Sequence, residues 1–225
     1  MNDKELVAQQ AAECVTDGML VGLGTGSTAN YFIEELARRS REQGLKVATV
    51  ASSVVSALNA QQLGLTVLGI EQISHLDLYV DGADEVTPDL ILLKGQGVDL
   101  VREKLLATAS QQFIVLVESS KLVEHIGQQY AVPIEVMPFA WRLVKKQLEA
   151  IGGNGDLRQN ADKNGYALSS QGSLIADVSF DRSIDAKKLN EALNGIPGIV
   201  EHGIFYALAT LVLVGVNGQV QQLQV

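Results

Sequence analysis

Four short segments of this sequence combine residue types that bind anions or move protons. The first, Gly22-Leu23-Gly24-Thr25-Gly26-Ser27-Thr28, follows a strand-like run and precedes a helical pattern. Glycines let the backbone approach a ligand, and the hydroxyls of Ser27 and Thr28 lie beside helix N-terminal amides, which attract anions. A tight turn with a helix cap explains one or two of these residues, whereas a phosphate site explains the whole group. We therefore predict ligand binding at Thr25, Gly26, Ser27 and Thr28.

The known nucleotide motifs do not fit this segment. The dinucleotide pattern G-x-G-x-x-G would need glycine in place of Ser27, and the next strand-like run ends in Ala51-Ser52-Ser53 rather than in an acid for the ribose hydroxyl. A P-loop would need Gly-Lys before a hydroxyl residue. The broken fingerprint disfavours a nicotinamide-dependent dehydrogenase, and we predict no cofactor.

The second segment, Asp81-Gly82-Ala83-Asp84-Glu85, follows the apolar run Leu76–Val80. Its three carboxylates repel one another, so they cost stability unless they cap turns, bind a cation or serve catalysis. A magnesium site and a solvated acidic turn are both open alternatives. Lys94 begins the next loop, and it could take the place of a metal by neutralising these acids while it binds substrate oxygens.

The third segment, Lys94-Gly95-Gln96-Gly97, follows the apolar run Leu90–Leu93, which we predict to be another strand of the same sheet. A helical stretch through Ala109 comes next. Successive amides of a glycine-rich loop at a helix start can form a pocket for a developing oxyanion. The loop is therefore a candidate oxyanion pocket.

Glu103 lies in that helical stretch, away from its apolar face. One stripe of the helical wheel holds Val98, Val101, Leu105 and Ala109. At about 100° per residue, Glu103 points roughly 130° from the centre of this stripe, so we predict that it is not a core residue. On periodicity alone, a surface glutamate is favoured over a catalytic base.

The fourth segment is Lys121, which follows the strand-like run Phe113–Val117 and a short turn. A lone lysine in a loop is usually exposed to solvent, and its interest comes only from the neighbouring segments. The three histidines are scattered without the i, i+4 spacing of a metal pair, so a histidine metal site is not predicted.

Composition restricts the class of protein. The chain has 225 residues, 47% of them hydrophobic, and a formal charge of −9 without any lysine and arginine cluster. The acidic balance argues against nucleic-acid binding. Cys14 is the only cysteine, which agrees with a reducing compartment. No apolar run approaches the ~18 residues that span a bilayer, and the first residues do not resemble a signal peptide, so we expect a cytoplasmic protein.

The order of predicted elements indicates two domains. Strand-like runs alternate with helical patterns up to about residue 127, as in a parallel sheet built from βαβ units. We predict a Rossmann-like, mostly parallel sheet with helices on both faces, formed by residues 1–130 and 204–225. Residues 131–203 change to a strand, helix, strand pair, helix and strand order, which predicts a smaller inserted α+β unit of the ferredoxin-like kind. Ligands of such sheets bind at the carboxyl ends of strands.

The four segments in this order resemble the ribose-5-phosphate isomerase A family. Two later segments also resemble that family, so the likeness covers nearly the whole chain: Pro133-Ile134-Glu135-Val136 and Ile196-Pro197-Gly198-Ile199-Val200-Glu201-His202-Gly203-Ile204-Phe205. The resemblance implies an aldose–ketose isomerase that interconverts ribose 5-phosphate and ribulose 5-phosphate through an enediolate, without a metal or cofactor. It also implies a homodimer or a dimer of dimers.

The resemblance further implies the role of each residue. Glu103 would be the base that moves a proton between C1 and C2, while Asp81, Asp84 and Lys94 would hold sugar hydroxyls and relay their protons. The other predicted substrate-binding residues are Thr25, Gly26, Ser27, Thr28, Gly82, Ala83, Gly95, Gln96, Gly97 and Lys121. Lys4 matches a family lysine near the phosphate.

The sequence departs from the family pattern in three places. Where members commonly have Lys-Gly-Gly-Gly and then small residues, this chain has Gln96 and then Val98-Asp99. Ser169-Ser170-Gln171-Gly172 replaces a usual Thr-Asp-Asn-Gly, and the residues after Phe205 are less typical. A sugar-phosphate sensor is the alternative from another class, although the retained Glu103 speaks against it.

Overall fold

The computed structural model describes residues 2–224, and these divide into two compact units. Unit 1 comprises residues 1–83, 102–122 and 208–225, and unit 2 comprises residues 84–101 and 123–207. The predicted domain boundaries differ from these units mainly at residues 84–101. These residues fall in unit 2 because the short strands within them pair with a strand at Ile204–Phe205.

Unit 1 is built on a seven-stranded sheet in the order β14-β13-β7-β4-β1-β2-β3. All neighbouring strands are parallel except β13 and β14, which form a hairpin. The strands are β1 (Leu20–Leu23), β2 (Ala48–Ala51), β3 (Thr66–Leu68), β4 (Leu76–Gly82), β7 (Ser110–Glu118), β13 (Leu211–Val216) and β14 (Gln219–Leu223). The chain moves outward from β1 in one direction and from β4 in the other. The carboxyl ends of the paired strands β1 and β4 therefore form the switch point at which such sheets bind ligands.

Three helices connect or cover these strands, and most of a fourth helix also belongs to unit 1. They are α1 (Asp3–Glu13), α2 (Ser27–Gln43), α3 (Val54–Gln62) and α4 (Leu100–Ala109). The Asn2 side chain accepts from the backbone amide of Glu5, whose own side chain accepts from the Asn2 amide, so a capping box fixes the start of α1. The core of unit 1 combines the central strands with the apolar faces of α1 and α2.

Unit 2 contains two antiparallel sheets. The larger has the strand order β11-β8-β10-β9, and with its two helices it follows the order βαββαβ of a ferredoxin-like fold. Its elements are β8 (Val132–Val136), α5 (Trp141–Ala150), β9 (Asn154–Leu157), β10 (Leu174–Ser179), α6 (Ala186–Asn194) and β11 (Ile199–His202). The smaller sheet has the order β12-β6-β5, with β5 (Glu85–Val86), β6 (Leu92–Leu93) and β12 (Ile204–Phe205). The predicted fold class is confirmed.

One predicted strand is placed differently from expectation. The run Leu90–Leu93 does not belong to the parallel sheet, since only Leu92–Leu93 is a strand and it pairs antiparallel with β5 and β12. Leu90 has a φ of 57°, which ends the extended backbone before that strand. The prediction of a parallel strand before Lys94 was therefore wrong.

Candidate active site

Asp81 is the centre of the polar network in unit 1. It lies near the carboxyl end of β4, next to β1, and is fully buried. Its Oδ1 accepts from the amide of Thr25 at 3.1 Å and from that of Gly82 at 2.7 Å. The hydroxyl of Tyr79 donates to Oδ2 at 2.5 Å. Both carboxylate oxygens are thus held in fixed directions at the switch point of the sheet.

Tyr79, which donates to Asp81, is itself held in place by packing. Its side chain is fully buried and its ring stacks on Phe113, with ring centroids 4.9 Å apart. Burial, followed by the negative charges of Asp81 and Glu103, raises the pKa of Tyr79 well above its usual value. The phenol therefore stays protonated at neutral pH and keeps donating to Asp81.

Glu103, whose charge acts on Tyr79, is itself buried, with only 5% of it exposed. The prediction that Glu103 lies away from the protein interior was wrong. The predicted apolar stripe was wrong as well, since Leu105 is 54% exposed while Leu100, Leu106 and Ala107 are buried. α4 thus buries a carboxylate and exposes a leucine, the reverse of what hydrophobicity alone favours.

A close approach of the backbone fixes the distance between β1 and Asp81. A Cβ placed on Gly24 would stand 2.2 Å from Oδ1 of Asp81 and 2.6 Å from its Cα. Only glycine leaves room for this approach, which also brings the amide of Thr25 to the carboxylate.

The hydroxyl of Thr25 joins a group of serines that were not among the predicted site residues. Its Oγ1 lies 2.9 Å from Ser52 Oγ, 2.7 Å from Ser53 Oγ and 3.2 Å from Ser56 Oγ. Ser53 also caps α3. These serines follow β2 as Thr25 follows β1, so the rule that ligands lie at carboxyl ends could have identified them.

The start of α2 has the features of an anion site. Gly26 precedes the helix with a φ of 110°, a left-handed value that suits glycine, and Ser27 is the first helical residue. Lys4 Nζ donates to Ser27 Oγ at 3.1 Å and lies 3.5 Å from Glu118 Oε2. Lys121 follows β7 in a short 3₁₀ turn, Ser119–Lys121.

In unit 2, Asp84 directly precedes β5 and Lys94 directly follows β6 of the small sheet. The amide of Asp84 donates to the carbonyl of Leu93 at 2.8 Å, and the amide of Lys94 donates to that of Gly203 at 2.9 Å. The Lys94 side chain is buried, with its Nζ 5.7 Å from the centroid of the Phe205 ring. Few lysines are buried unless they have a specific role or partner.

The loop after Lys94 has an unusual backbone. Gly95 has a φ of 108°, and a Cβ there would stand 2.3 Å from Leu100. The amide of Gln96 donates to Oδ2 of Asp84 at 3.3 Å, so two predicted substrate-binding segments contact each other within unit 2. Gly97 is exposed.

Neither a metal site nor a membrane span emerges from the described part of the chain. Within residues 2–224 no three His, Cys, Asp or Glu side chains are grouped as they would be to hold a metal ion. None of the helices in that range is both long and apolar enough to cross a membrane.

The folds of the two units define a Rossmann-like α/β protein with a smaller ferredoxin-like unit. A family model described as ribose 5-phosphate isomerase A (phosphoriboisomerase A) matches residues 48–219. The chain belongs to the ribose 5-phosphate isomerase A family. A second family model, the DeoR C-terminal sensor domain, matches residues 1–85.

Relatives resemble the chain over nearly its whole length. Ribose-5-phosphate isomerase A of Thermosynechococcus vestitus is 42% identical over 221 residues, which cover 97% of this chain and 94% of that protein. The structure of ribose 5-phosphate isomerase A from Methanocaldococcus jannaschii has a TM-score of 0.93 at 38% identity and covers 99% of this chain and 98% of that one. A D-ribose-5-phosphate isomerase in complex with phospho-erythronic acid has a TM-score of 0.95 at 36% identity, with 100% of each chain covered. The predicted family and isomerase activity are confirmed.

Proposed function

We propose that Glu103 is the base with which this chain interconverts ribose 5-phosphate and ribulose 5-phosphate. The observation that carries the assignment is the burial of Glu103 in unit 1, where its charge acts on Tyr79, the residue that orients Asp81. A helix that buries a carboxylate and exposes a leucine loses stability locally, and such losses are typical of functional sites.

The proposed reaction moves two protons. Glu103 takes the proton from C2 of the open-chain aldose, and the electron pair of that C–H bond forms the C1=C2 double bond as negative charge moves onto O1. The same carboxyl then returns its proton to C1 and the C2=O2 carbonyl forms, while the O2 proton passes to O1 through the groups that hold the sugar hydroxyls. O1 ends as a hydroxyl. Positioned proton transfer of this kind contributes about 10²–10⁴ in rate.

Asp81, Asp84 and Lys94 are the proposed partners of the base. Asp81 is held rigidly by three donors, so it can accept from a sugar hydroxyl in a defined direction. The ammonium group of Lys94 and the amides of Gly95, Gln96 and Gly97 suit the developing charge on O1 and O2. Gly82 and Ala83 would contact the sugar through their backbone.

The phosphate group is proposed to bind at the start of α2. The amides of the first helical turn and the hydroxyls of Ser27 and Thr28 provide donors, and the helix dipole favours an anion. Thr25, Gly26 and Lys121 complete the proposed set. Lys4 supports it, since its ammonium group already contacts Ser27.

The test is ketose formation from ribose 5-phosphate by the purified protein, with and without excess chelator. Glu103→Gln should lower kcat by about 10²–10⁴ because the base is lost, while binding of phospho-erythronic acid persists. Glu191→Gln, an exposed glutamate on α6, is the matched control and should keep full activity. Near-normal turnover by Glu103→Gln would refute the assignment, and loss of activity in chelator that magnesium restores would refute the proposed metal-free reaction.

A sugar-phosphate sensor is the second candidate, because the sensor-domain model matches residues 1–85. That stretch includes the start of α2 but neither Lys121 nor Glu103. Binding of ribose 5-phosphate without any ketose formation would support the sensor. We further propose a cytoplasmic homodimer, or a dimer of dimers, as the family resemblance implies.

A further inference from the structure

The loop at residues 94–99 in unit 2 is held by an arginine that lies more than sixty positions along the chain. Nη1 of Arg158 donates to the carbonyl of Gly95 at 3.2 Å and to that of Gln96 at 3.2 Å. Neither the proposed reaction nor the proposed substrate contacts use this arginine.

A carboxylate on the neighbouring strand holds Arg158 in place. Its Nε donates to Oδ2 of Asp177 at 2.8 Å and its Nη2 donates to Oδ1 at 2.6 Å. The Arg158 side chain is only 16% exposed. This two-bond pairing uses one edge of the planar guanidinium group and leaves Nη1 directed at the loop, a geometry that lysine cannot reproduce.

The hydrogen bonds from Arg158 to the two loop carbonyls determine the direction of the loop amides. A trans peptide is planar, so the carbonyl of one residue and the amide of the next point in opposite directions. Because the Gly95 carbonyl faces Arg158, the Gln96 amide faces away from it, and there it meets Oδ2 of Asp84 at 3.3 Å. By the same geometry the Gly97 amide also points away from Arg158.

A second contact holds the other end of the loop. The Ser170 hydroxyl donates to Oδ1 of Asp99, and the neighbouring Ser169 hydroxyl donates to the buried Glu135 at 2.6 Å. Val98, between the two held ends, has a φ of 65°. A β-branched residue keeps this left-handed conformation only when its surroundings impose it. Two of the departures from the family pattern, Asp99 and Ser170, thus contact each other.

We propose that Arg158 is a positioning residue, which turns the amides of Gln96 and Gly97 toward Asp84 and the enediolate oxygens of the substrate. Asp177 orients Arg158, and the contact between Ser170 and Asp99 limits the loop at its far end. This inference rests on the proposed function, because the oxygens that the amides would face belong to the proposed intermediate.

The experiment compares two competitive inhibitors in the Arg158→Met and Arg158→Lys variants. Phospho-erythronic acid carries a carboxylate that resembles the two oxygens of an enediolate, whereas inorganic phosphate resembles only the phosphate group of the substrate. We expect kcat to fall by about 10- to 100-fold, since a displacement of about 1 Å is enough for such a loss. The inhibition constant of phospho-erythronic acid should rise at least tenfold in both variants, and that of phosphate should stay within twofold.

Arg182→Met, an exposed arginine in the same unit, is the matched control and should change none of these values. An inhibition constant does not depend on the fraction of folded protein, so a folding defect alone cannot produce the expected pattern. Unchanged inhibition by phospho-erythronic acid, full recovery in Arg158→Lys, or equal weakening of both inhibitors would each overturn the proposal.

Different results would refute the proposed function and the proposed role of Arg158. Absence of turnover by the unaltered protein would refute the proposed function. Calorimetric binding of phospho-erythronic acid to the unaltered protein and to Arg158→Met would then still decide whether Arg158 positions the loop.

Discussion

Asp81 in unit 1 and the 94–99 loop in unit 2 carry proposed active-site groups that are positioned in different ways. The donors to Asp81 come from its own strand and from the end of the adjacent strand, β1. The loop depends on Arg158 and Ser170, which lie 62 to 71 positions from the residues they hold. The pairing of strands places the first group, whereas individual side chains place the second. Single substitutions remote from the loop should therefore disturb it, while the Asp81 network should respond mainly to changes within itself.

The largest effect is expected from Asp81→Asn, which tests the network of unit 1. The amide keeps the size of the carboxylate and can still accept from Thr25 and Gly82, but it has no negative charge and brings its NH₂ toward Tyr79. We expect kcat to fall by about 10²–10⁴ while the folded structure is retained. Steady-state kinetics and circular dichroism check both parts.

Asp162→Asn, an exposed aspartate in unit 2, is the control and should keep its activity. A small effect of Asp81→Asn, below about tenfold, would mean that orientation rather than charge at Asp81 matters, and it would weaken the contrast between the two regions.

Two glycine substitutions compare how closely the backbone is packed at Gly24 in unit 1 and at Gly97 in unit 2. Gly24→Ala places a Cβ 2.2 Å from Asp81 Oδ1, so β1 or β4 must move, and we expect a loss of about 1–3 kcal/mol in the free energy of unfolding. Gly97→Ala meets no atom within 4 Å and should change the free energy of unfolding by no more than about 0.5 kcal/mol. Urea denaturation measures both. Equal effects of the two substitutions would show that close packing does not distinguish Gly24 from a loop glycine.

The smallest effect on stability is expected at Glu135, the buried acid that accepts a hydrogen bond from Ser169. Burial, aided by the charges of Glu201 and Asp99 and opposed by the hydroxyls of Ser169 and Ser173, raises the pKa of Glu135 above its ordinary value. A raised pKa means that the ionised form opposes folding. The stability of the protein should thus decline as pH rises from about the ordinary value of glutamate through the raised one.

Glu135→Gln removes this titration while its amide oxygen can still accept from Ser169. The difference in free energy of unfolding, variant minus unaltered protein, should grow in favour of the variant as pH rises through that window and stay level below it. Urea denaturation between acidic and neutral pH checks this, with Glu191→Gln as the exposed control. A difference that shrinks with rising pH would contradict the assignment.

Much of the fold follows from local sequence signals. Continuous apolar runs identify the central strands of unit 1, since strands covered on both faces need no polar alternation. The order of elements identifies the ferredoxin-like sheet of unit 2. Leu90–Leu93 has the same apolar character but belongs to a small antiparallel sheet, because a two-residue strand takes its partners from tertiary pairing that hydrophobicity does not encode.

The candidate site, like the fold, could be predicted from the sequence only in part. Thr25 and Asp81 could be placed together from sequence because β1 and β4 end at one edge of a parallel sheet. The burial of Glu103 could not, because helical periodicity assigns polar residues to the solvent and a functional carboxylate violates that rule. Arg158 and Ser170 carry no local signal, since each acts through a contact that only the folded unit creates.

The capture of two loop carbonyls by Arg158 has a consequence for anyone who builds chimeras between relatives of this protein. The loop and the strand pair that holds it are separated in the sequence but form one structural unit. An exchange that transplants residues 94–99 from a relative without its counterparts of Arg158, Ser170 and Asp177 would combine a foreign loop with native side chains that need not match it. Such hybrids should be designed with both pieces taken from the same parent.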